Sequence, residues 1–492
     1  MLFNSLEFIF LFLPTAFIGY FYLNHRGRTA VATAWLILAS LFFYCWWDPI
    51  YLPLIVGSIL FNFSTGTWLH RSIGKEPSSS RTLLSPKAIL FFGVTCNLLL
   101  LGYFKYSDFF IHNLNRWLGE DRLSLLHMIL PLGISFFTFT QIAFLVDVYK
   151  RQAKEYDLLN YALFVTYFPH LIAGPILHHR EMMPQFADMT QRSLRYDNLA
   201  KGTVLFSIGL CKKVLIADTF AVWANGGFAD PLHLQLIEAW FTSLSYTLQL
   251  YFDFSGYTDM ALGISLLFNV YLPINFNSPY KALSIQEFWQ RWHMTLSRFL
   301  KEYVYIPFGG NRHDEVNTCR NLLATFIIGG LWHGAGWTFI VWGAVHGVAL
   351  VIQRLWQRLK WPMPNWLAWF VTFFFVNFAW VFFRAGSMSD AIEVVKGMFG
   401  FHGLAQGIAV GDYLRFLTKS ASSYAALFNL RTPGVIFFIL FFMAAVMMPN
   451  SMQWLERFKP NWRNALFIVL LLTISTVYLS FGHAKSFLYF NF

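Results

Sequence analysis

Charge is scarce in this 492-residue sequence. Asp, Glu, Lys and Arg together make up 12%, about half the ~25% of an ordinary soluble protein. That shortage argues against a large soluble all-α protein. Cysteine is scarce as well: Cys45, Cys96, Cys211 and Cys319 stand apart without metal-ligand spacing. Neither a disulfide framework nor a zinc site is supported, and the four read as apolar packing residues. There is no Gly-x-Ser-x-Gly elbow, no Gly-x-x-x-x-Gly-Lys-Ser/Thr loop and no His-Glu-x-x-His pair. These absences disfavour an α/β-hydrolase, a P-loop ATPase and a standard zinc protease. No low-complexity basic tail and no RNA-binding motif occurs, so the formal charge of +11 does not indicate nucleic acid. It fits Lys and Arg gathered in cytoplasmic loops. The first apolar run has no basic region before it and no Ala-x-Ala signal, so it reads as a retained membrane helix.

What the chain has is apolar and aromatic. Apolar residues reach 57%, with 56 Phe and 19 Trp, a usage that suits lipid-facing helices with aromatic belts. Helix candidates at 3–23, 30–47, 50–69, 88–104 and 128–148 each approach the ~20 residues that cross a bilayer core. Positive charge collects after the first, third and fifth: Arg26 and Arg28; Arg71, Lys75, Arg81 and Lys87; Lys150, Arg151 and Lys154. The second link carries Asp48 and no basic residue, and in the fourth Lys105, Arg116 and Arg122 are offset by Asp108, Glu120 and Asp121. This bias predicts an outside N-terminus, with the odd-numbered helix ends in the cytoplasm.

Further on, apolar segments at 158–176, 203–222, 237–254 and 257–275 are interrupted by His170, Lys212, Lys213, Asp218, Asp253 and Asp259. Charges at membrane depth must face protein, a watery cavity or an interface. Lys212, Lys213 and Asp218 read as snorkelling side chains with an ion pair near one face. Asp253, between aromatic residues, reads as a buried carboxylate orienting a cation or an imidazole. His170, His178 and His179, around Gly174 and Pro175, are placed to line an entrance or bind headgroups. Later apolar segments lie at 322–332, 337–353, 366–383, 433–449 and 465–481. Short loops argue for one membrane-embedded domain over 1–492, with core motifs at 130–350 and a mixed amphipathic insert at 384–432. No internal repeat is visible, which disfavours a transporter built from inverted halves.

The stretch 284–347 differs in kind. Phe288, Trp292, Leu296, Phe299 and Tyr303 recur every three or four residues, while Arg291, Arg298 and Glu302 fall to one side. The spacing predicts one amphipathic helix lying in the membrane interface, with a loop from Ile306 to Asn321 after it. Trp-His pairs occur at 292–293 and 332–333, the second among Gly329, Gly330, Gly334 and Gly336. Those glycines permit close backbone approach or a helix break, and a break at membrane depth needs protein or a cavity around it. A buried ionisable residue there is a functional candidate, and His333 suits a general base. His293, on an interfacial helix, could equally face headgroups, and spacing does not link it to His333. His346 stands 13 residues past His333, roughly 20 Å away if the helix continues.

The ordered motifs resemble the membrane-bound O-acyltransferase family, in particular its bacterial alginate O-acetyltransferase branch. They are Pro-Leu-Gly-Ile-Ser-Phe-Phe-Thr-Phe from Pro131, the Val146–Tyr149 end of that helix, Phe-Pro-His-Leu-Ile-Ala-Gly-Pro from Phe168, Leu-Tyr-Phe-Asp-Phe-Ser-Gly-Tyr-Thr-Asp-Met from Leu250, Asn-Phe-Asn-Ser-Pro-Tyr from Asn275, and both Trp-His pairs. The likeness runs from the N-terminus to about Arg384 and more thinly beyond. It implies an all-α polytopic membrane protein, with about 11–13 transmembrane or re-entrant helices ringed around a central funnel and amphipathic helices at the interface. It implies a multi-pass protein of the bacterial cytoplasmic (inner) membrane, with His333 as catalytic histidine and His293 as the second polar position. It also implies acetyl-CoA or another acyl thioester as donor substrate with no bound cofactor, and a polysaccharide acceptor. An extracytoplasmic acetyltransferase or acyl-acceptor protein is the implied partner, beside the lipid bilayer.

Chemically, a neutral His333 can take the acceptor hydroxyl proton as its oxygen attacks the thioester, while His293 with amide or indole donors positions the acceptor or steadies the oxyanion. An acyl-histidine is a further route. Asn277, Tyr280, Trp332 and Asp253 are the substrate-pocket candidates, and no metal ligands are proposed. Competing readings are peptidoglycan O-acetylation by the same chemistry, a teichoic-acid D-alanyl transferase, a transporter of a donor or polymer precursor, and a scaffold for polysaccharide secretion.

Overall fold

A computed structural model describes all residues except 74–83, 120, 154–156, 189–191, 313, 404–432, 483–486 and 489–492. Lys75, Arg81, Glu120 and Lys154 of the charged links, and the 404–432 part of the insert, lie outside the described residues. Every regular element among the described residues is helical. In lipid that outcome follows from the backbone, whose polar groups have no water and must be satisfied within one segment. Six helices are long and apolar enough to cross a membrane: Phe8–His25, Pro49–Ile73, Pro86–Leu118, Trp337–Leu359, Asn365–Arg384 and Trp462–Phe481. Thr29–Cys45, Ile134–Tyr149 and Gly434–Met447 are shorter apolar helices. The chain is an all-α polytopic membrane protein.

Several boundaries differ from those expected of the sequence. The fourth helix runs to Leu118, not to 104, because Asn113 and Asn115 find backbone carbonyls at Phe109 and Leu123 and are tolerated. The segment 158–176 is two short helices, Leu158–Thr166 and Phe168–Leu171, and then extended chain. Segments expected at 237–254 and 257–275 form one helix, Leu236–Leu267. Gly256 does not break it; a Cβ there would meet the Gly209 carbonyl oxygen at 2.8 Å, so its smallness serves close packing. In the insert, Met388–Met398 is helical with Ser387 as its N-cap, as expected of amphipathic chain.

The chain divides into two compact units, residues 1–206 with 260–273, and residues 207–259 with 274–492. The first unit holds its membrane helices together with buried amides. Asn62 and Asn97 exchange side-chain hydrogen bonds of 3.2 and 2.7 Å. Gln141 donates to Ser58 at 3.0 Å and accepts from the Tyr161 hydroxyl. Between apolar helices such bonds contribute about 0.6 kcal/mol each and fix the partner. His170, His178 and His179 are buried here instead of facing headgroups. The His170 ring bonds the Phe164 carbonyl at 2.8 Å, and His179 packs between Phe144 and Phe164.

In the second unit the organising element is an antiparallel hairpin, Glu315–His333 and Trp337–Leu359. Its two backbones nearly touch. A Cβ on Gly330 would lie 2.3 Å from the Phe339 carbonyl oxygen, and one on Gly343 would lie 2.3 Å from that of Phe326. At the base, Glu315 bonds Arg354 at 2.5 Å and also pairs with Arg358. Gly343→Ala is expected to destabilise the protein by about 1–3 kcal/mol, read as a lower unfolding midpoint in detergent. Gly57→Ala, where nothing lies within 4 Å, should leave the midpoint unchanged.

Candidate active site

His333 is the last residue of the first hairpin helix. The chain then turns through Gly334 and Gly336, both extended (φ −160° and −163°), so positive φ is not what requires glycine here. Close approach is: a Cβ on Gly334 would fall 2.2 Å from the Phe339 ring. The imidazole is 4% exposed and meets Trp332, Trp342 and Phe383 at centroid distances of 4.9, 5.1 and 5.2 Å. The helix breaks at these glycines, one of the two outcomes that the sequence allowed. His346 therefore returns to the same neighbourhood, with its ring 5.0 Å from the far partner Trp342. Its Nδ1 accepts from the Trp289 indole at 3.3 Å.

The interfacial helix expected from Leu283 to Tyr305 is also interrupted. It forms as Ile285–Arg291, Met294–Leu300 and a π-helical turn Lys301–Tyr305. The break falls on His293, which adopts a left-handed conformation, φ 43°. Such a conformation is uncommon for a non-glycine residue and persists only when its surroundings fix it. Asn275 supplies that restraint. Its carbonyl oxygen accepts from Met294 N–H at 3.0 Å, and its side-chain oxygen accepts from Thr295 N–H at 3.2 Å and the Thr295 hydroxyl at 2.7 Å. The same oxygen lies 3.4 Å from His293 Nδ1. His293 is thereby turned inward and is 0% exposed, which rules out a headgroup-facing role.

The structure brings the two imidazoles together, with ring centroids 6.5 Å apart. Trp332 stands beside both, 6.4 Å from His293. The other pocket candidates are engaged elsewhere. Asn277 accepts from Asn450 at its side-chain oxygen and from Arg291 at its carbonyl. The Tyr280 hydroxyl donates to the Thr247 carbonyl at 2.7 Å, and its ring stacks with Phe288 and Trp292. The residue that the sequence reading passed over is Asn275, two positions before Asn277 in the same motif. Its Nδ2 is buried without a hydrogen-bond partner. A short polar residue in an extended run, between Ile274 and Phe276, was the available signal.

Asp253 orients a cation. Lys213 Nζ lies 2.7 Å from both Asp253 and Asp218 and is 3% exposed, while Asp253 also accepts from Leu488 N–H at 2.9 Å. Lys212 pairs with Asp259 at 2.7 Å and donates to Ser451. The expected ion pairs form, but Lys213 is buried and does not snorkel. A π-helical turn at Lys212–Ala217 widens the helix where both lysines project inward, a distortion frequent at functional positions. The Lys213 group borders a cavity of about 680 Å³ that includes Ala335, Gly336 and Thr338 of the hairpin tip, together with Phe339 and Phe383. Phe383 is also in contact with the His333 ring, so the imidazole lies one side chain behind the cavity wall. Among the described residues no group of three His, Cys, Asp or Glu could hold a metal ion.

A polytopic helical protein with paired, fully packed imidazoles beside a polar cavity has the architecture of a membrane-embedded group-transfer enzyme. Residues 17–388 match the membrane-bound O-acyltransferase family, and the chain belongs to it; it is an O-acyltransferase. The chain is similar to a peptidoglycan O-acetyltransferase of Helicobacter pylori, 46% identical with 100% of this chain and 98% of that protein covered. It is similar to a probable alginate O-acetylase, AlgI, of Pseudomonas aeruginosa, 42% identical over 82% of this chain and 75% of that protein. A teichoic acid D-alanyltransferase of Bacillus subtilis is 29% identical over 51% of this chain and 68% of its own length.

Lys213→Met would leave two buried carboxylates without their cation. Breaking a buried pair in this way typically costs about 3–5 kcal/mol. A marked drop in unfolding midpoint is expected, with Lys213→Arg recovering part of it, as measured by thermal unfolding in detergent.

Proposed function

We propose that the chain moves an acetyl group from a cytoplasmic acyl thioester to a hydroxyl destined for a cell-envelope polysaccharide, with His333 as general base. The observation that carries this reading is the buried His293–His333 pair at 6.5 Å. A single oxygen hydrogen-bonded at roughly 3 Å to each ring bridges such a gap. In the proposed step the acceptor hydroxyl gives its proton to His333 as its oxygen attacks the thioester carbonyl. The C–S bond then breaks, and the departing thiolate takes the proton back from the imidazolium. His293 and the unpaired Asn275 Nδ2 supply donors for the oxyanion that develops between these events.

The hairpin supports a two-sided arrangement. Its first helix has 19 residues, about 28 Å at 1.5 Å each, close to the ~30 Å of a bilayer core. Arg354, Arg358 and Lys360 gather at the base, where the positive-inside rule places the cytoplasm of the inner membrane. His333 and the cavity are then at the far end, where an acceptor would enter. Peptidoglycan is the acceptor favoured by the relative aligned along the whole chain. An exported polysaccharide is the second reading, favoured by the alginate relative, and an extracytoplasmic acetyltransferase would complete the delivery.

The test is transfer of labelled acetyl from acetyl-CoA by the full chain in lipid nanodiscs, with an acceptor glycan and with or without an extracytoplasmic partner. His333→Gln, which keeps most of the buried volume, should lower transfer by about 10²–10⁴-fold with an unfolding midpoint near that of the native chain. Transfer retained in that variant rejects His333 as the base.

A further inference from the structure

The short helix Ser451–Glu456 is capped by Asn450. The Asn450 side-chain oxygen accepts from Gln453 N–H at 2.9 Å, and Gln453 Oε1 accepts from Asn450 N–H at 3.2 Å. That capping box uses only an acceptor and the backbone, so Ser or Asp would serve the helix equally well. The Asn450 amide group is spent elsewhere. Its Nδ2 donates to Asn277 Oδ1 at 3.0 Å and to Ser278 Oγ at 3.1 Å, 173 and 172 positions away. Asn450 lies beyond residue 388, where the family match ends, and neither bond is needed by the helix it caps.

Both acceptors belong to the segment that holds His293. Ser278 is 3% exposed and left-handed, φ 48°, the same uncommon conformation that His293 adopts. A conformation of that kind persists only where its surroundings over-determine it, and the Asn450 amide bonds the Ser278 hydroxyl. The segment is paired with the chain on either side of His293. Asn277 N–H donates to the Arg291 carbonyl at 2.9 Å, and Met294 N–H donates to that of Asn275 at 3.0 Å. Arg291 Nη1 returns a bond to the Asn277 carbonyl at 3.1 Å. A shift at Asn277 or Ser278 is therefore passed to the backbone before and after the imidazole.

The stretch that carries Asn450 is itself fixed. Lys281 Nζ donates to the Met448 carbonyl at 2.7 Å and to the Met447 carbonyl at 3.2 Å, closing the end of the Pro433–Met447 helix as cations commonly do. Ser451 Oγ joins the Lys212–Asp259 pair, accepting from the lysine and donating to the carboxylate. A donor anchored on both sides sets the position of what it bonds.

We propose that Asn450 is a positioning residue for acyl transfer, its amide clamping the 275–278 segment that sets His293 against His333. Asn450 acts through that segment and through His293. The proposal rests on the acyl-transfer reading of the imidazole pair, though not on which of the two rings is the base.

The test substitution is Asn450→Ser, which keeps a cap of equal strength and removes the amide. Asn461→Ser is the matched control, because Asn461 caps Trp462–Phe481 by the same kind of bond, to Asn464 N–H at 2.9 Å. With the full chain in nanodiscs, Asn450→Ser should lower kcat for acetyl transfer about tenfold. KM for the donor and the unfolding midpoint should stay near native values, and Asn461→Ser should leave all three there. Added to His293→Gln, Asn450→Ser should cost at most about twofold more, since both changes act on one element. Hydrogen exchange without substrate reads the segment directly: the Met294 and Thr295 amides should exchange about tenfold faster in Asn450→Ser. A failed base assignment would leave that exchange result standing. Native kcat in Asn450→Ser, an equal loss in Asn461→Ser, a full tenfold loss on top of His293→Gln, or unchanged exchange at Met294 and Thr295 overturns the proposal.

Discussion

The site depends on how closely two helix backbones approach at Gly330 and Gly343. Each glycine leaves space that the other strand of the hairpin fills with a carbonyl oxygen, 2.3 Å from where a Cβ would stand. In lipid no hydrophobic gain drives apolar helices together, so contact of this kind supplies the association. It also sets geometry. Because the helices run antiparallel and touch, the end of the first is held against the start of the second, and His333 is fixed among Trp342, Phe339 and Phe383. The indole of Trp342 separates His333 from His346, so the second hairpin helix sets the position of both imidazoles.

Polar groups inside the chain divide into those that build and those left available. The Asn62–Asn97 exchange, the Lys212–Asp259 pair and the Lys213 triad are matched. A half-satisfied network at such depth would destabilise the fold. The unused donor at Asn275 stands beside the imidazole pair.

Much of this was legible in the sequence. The apolar segments near 322–332, 337–353, 366–383 and 465–481 correspond to helices of the structure, because hydropathy registers directly the cost of leaving a polar side chain in lipid. The glycines around His333 correctly signalled close approach and a broken helix. Less legible was anything set by tertiary restraint. The three-to-four stripe hid a break at His293, since Phe288, Trp292, Leu296 and Phe299 are buried on both sides of it. Asn275 holds that break from 18 residues away, a distance at which spacing carries no signal. The pairing of His293 with His333 was reachable only through the family resemblance, since some forty residues and a turn intervene. The histidines near Gly174 were open for a related reason: a His between apolar residues reads alike whether it meets headgroups or, as His179 does, two aromatic rings.

The left-handed conformation of His293 bears on how the proposed chemistry is arranged. On a continuous helix its side chain would share the stripe or the flank of its neighbours and could not leave both. The break frees it from that choice, letting Trp292 stack with Phe288 and pack at a tilt against Trp380 while the adjacent imidazole turns toward His333. Packing and reactivity are thereby assigned to successive residues, Trp292 and His293, and the same division recurs at Trp332 and His333. In each pair the indole contributes buried aromatic area that fixes the backbone, and the histidine that follows inherits the precision. Strain at His293 is then sustained by Asn275 through bonds to Met294 and Thr295, so the asparagine that would assist the oxyanion through its Nδ2 already holds the imidazole through its oxygen.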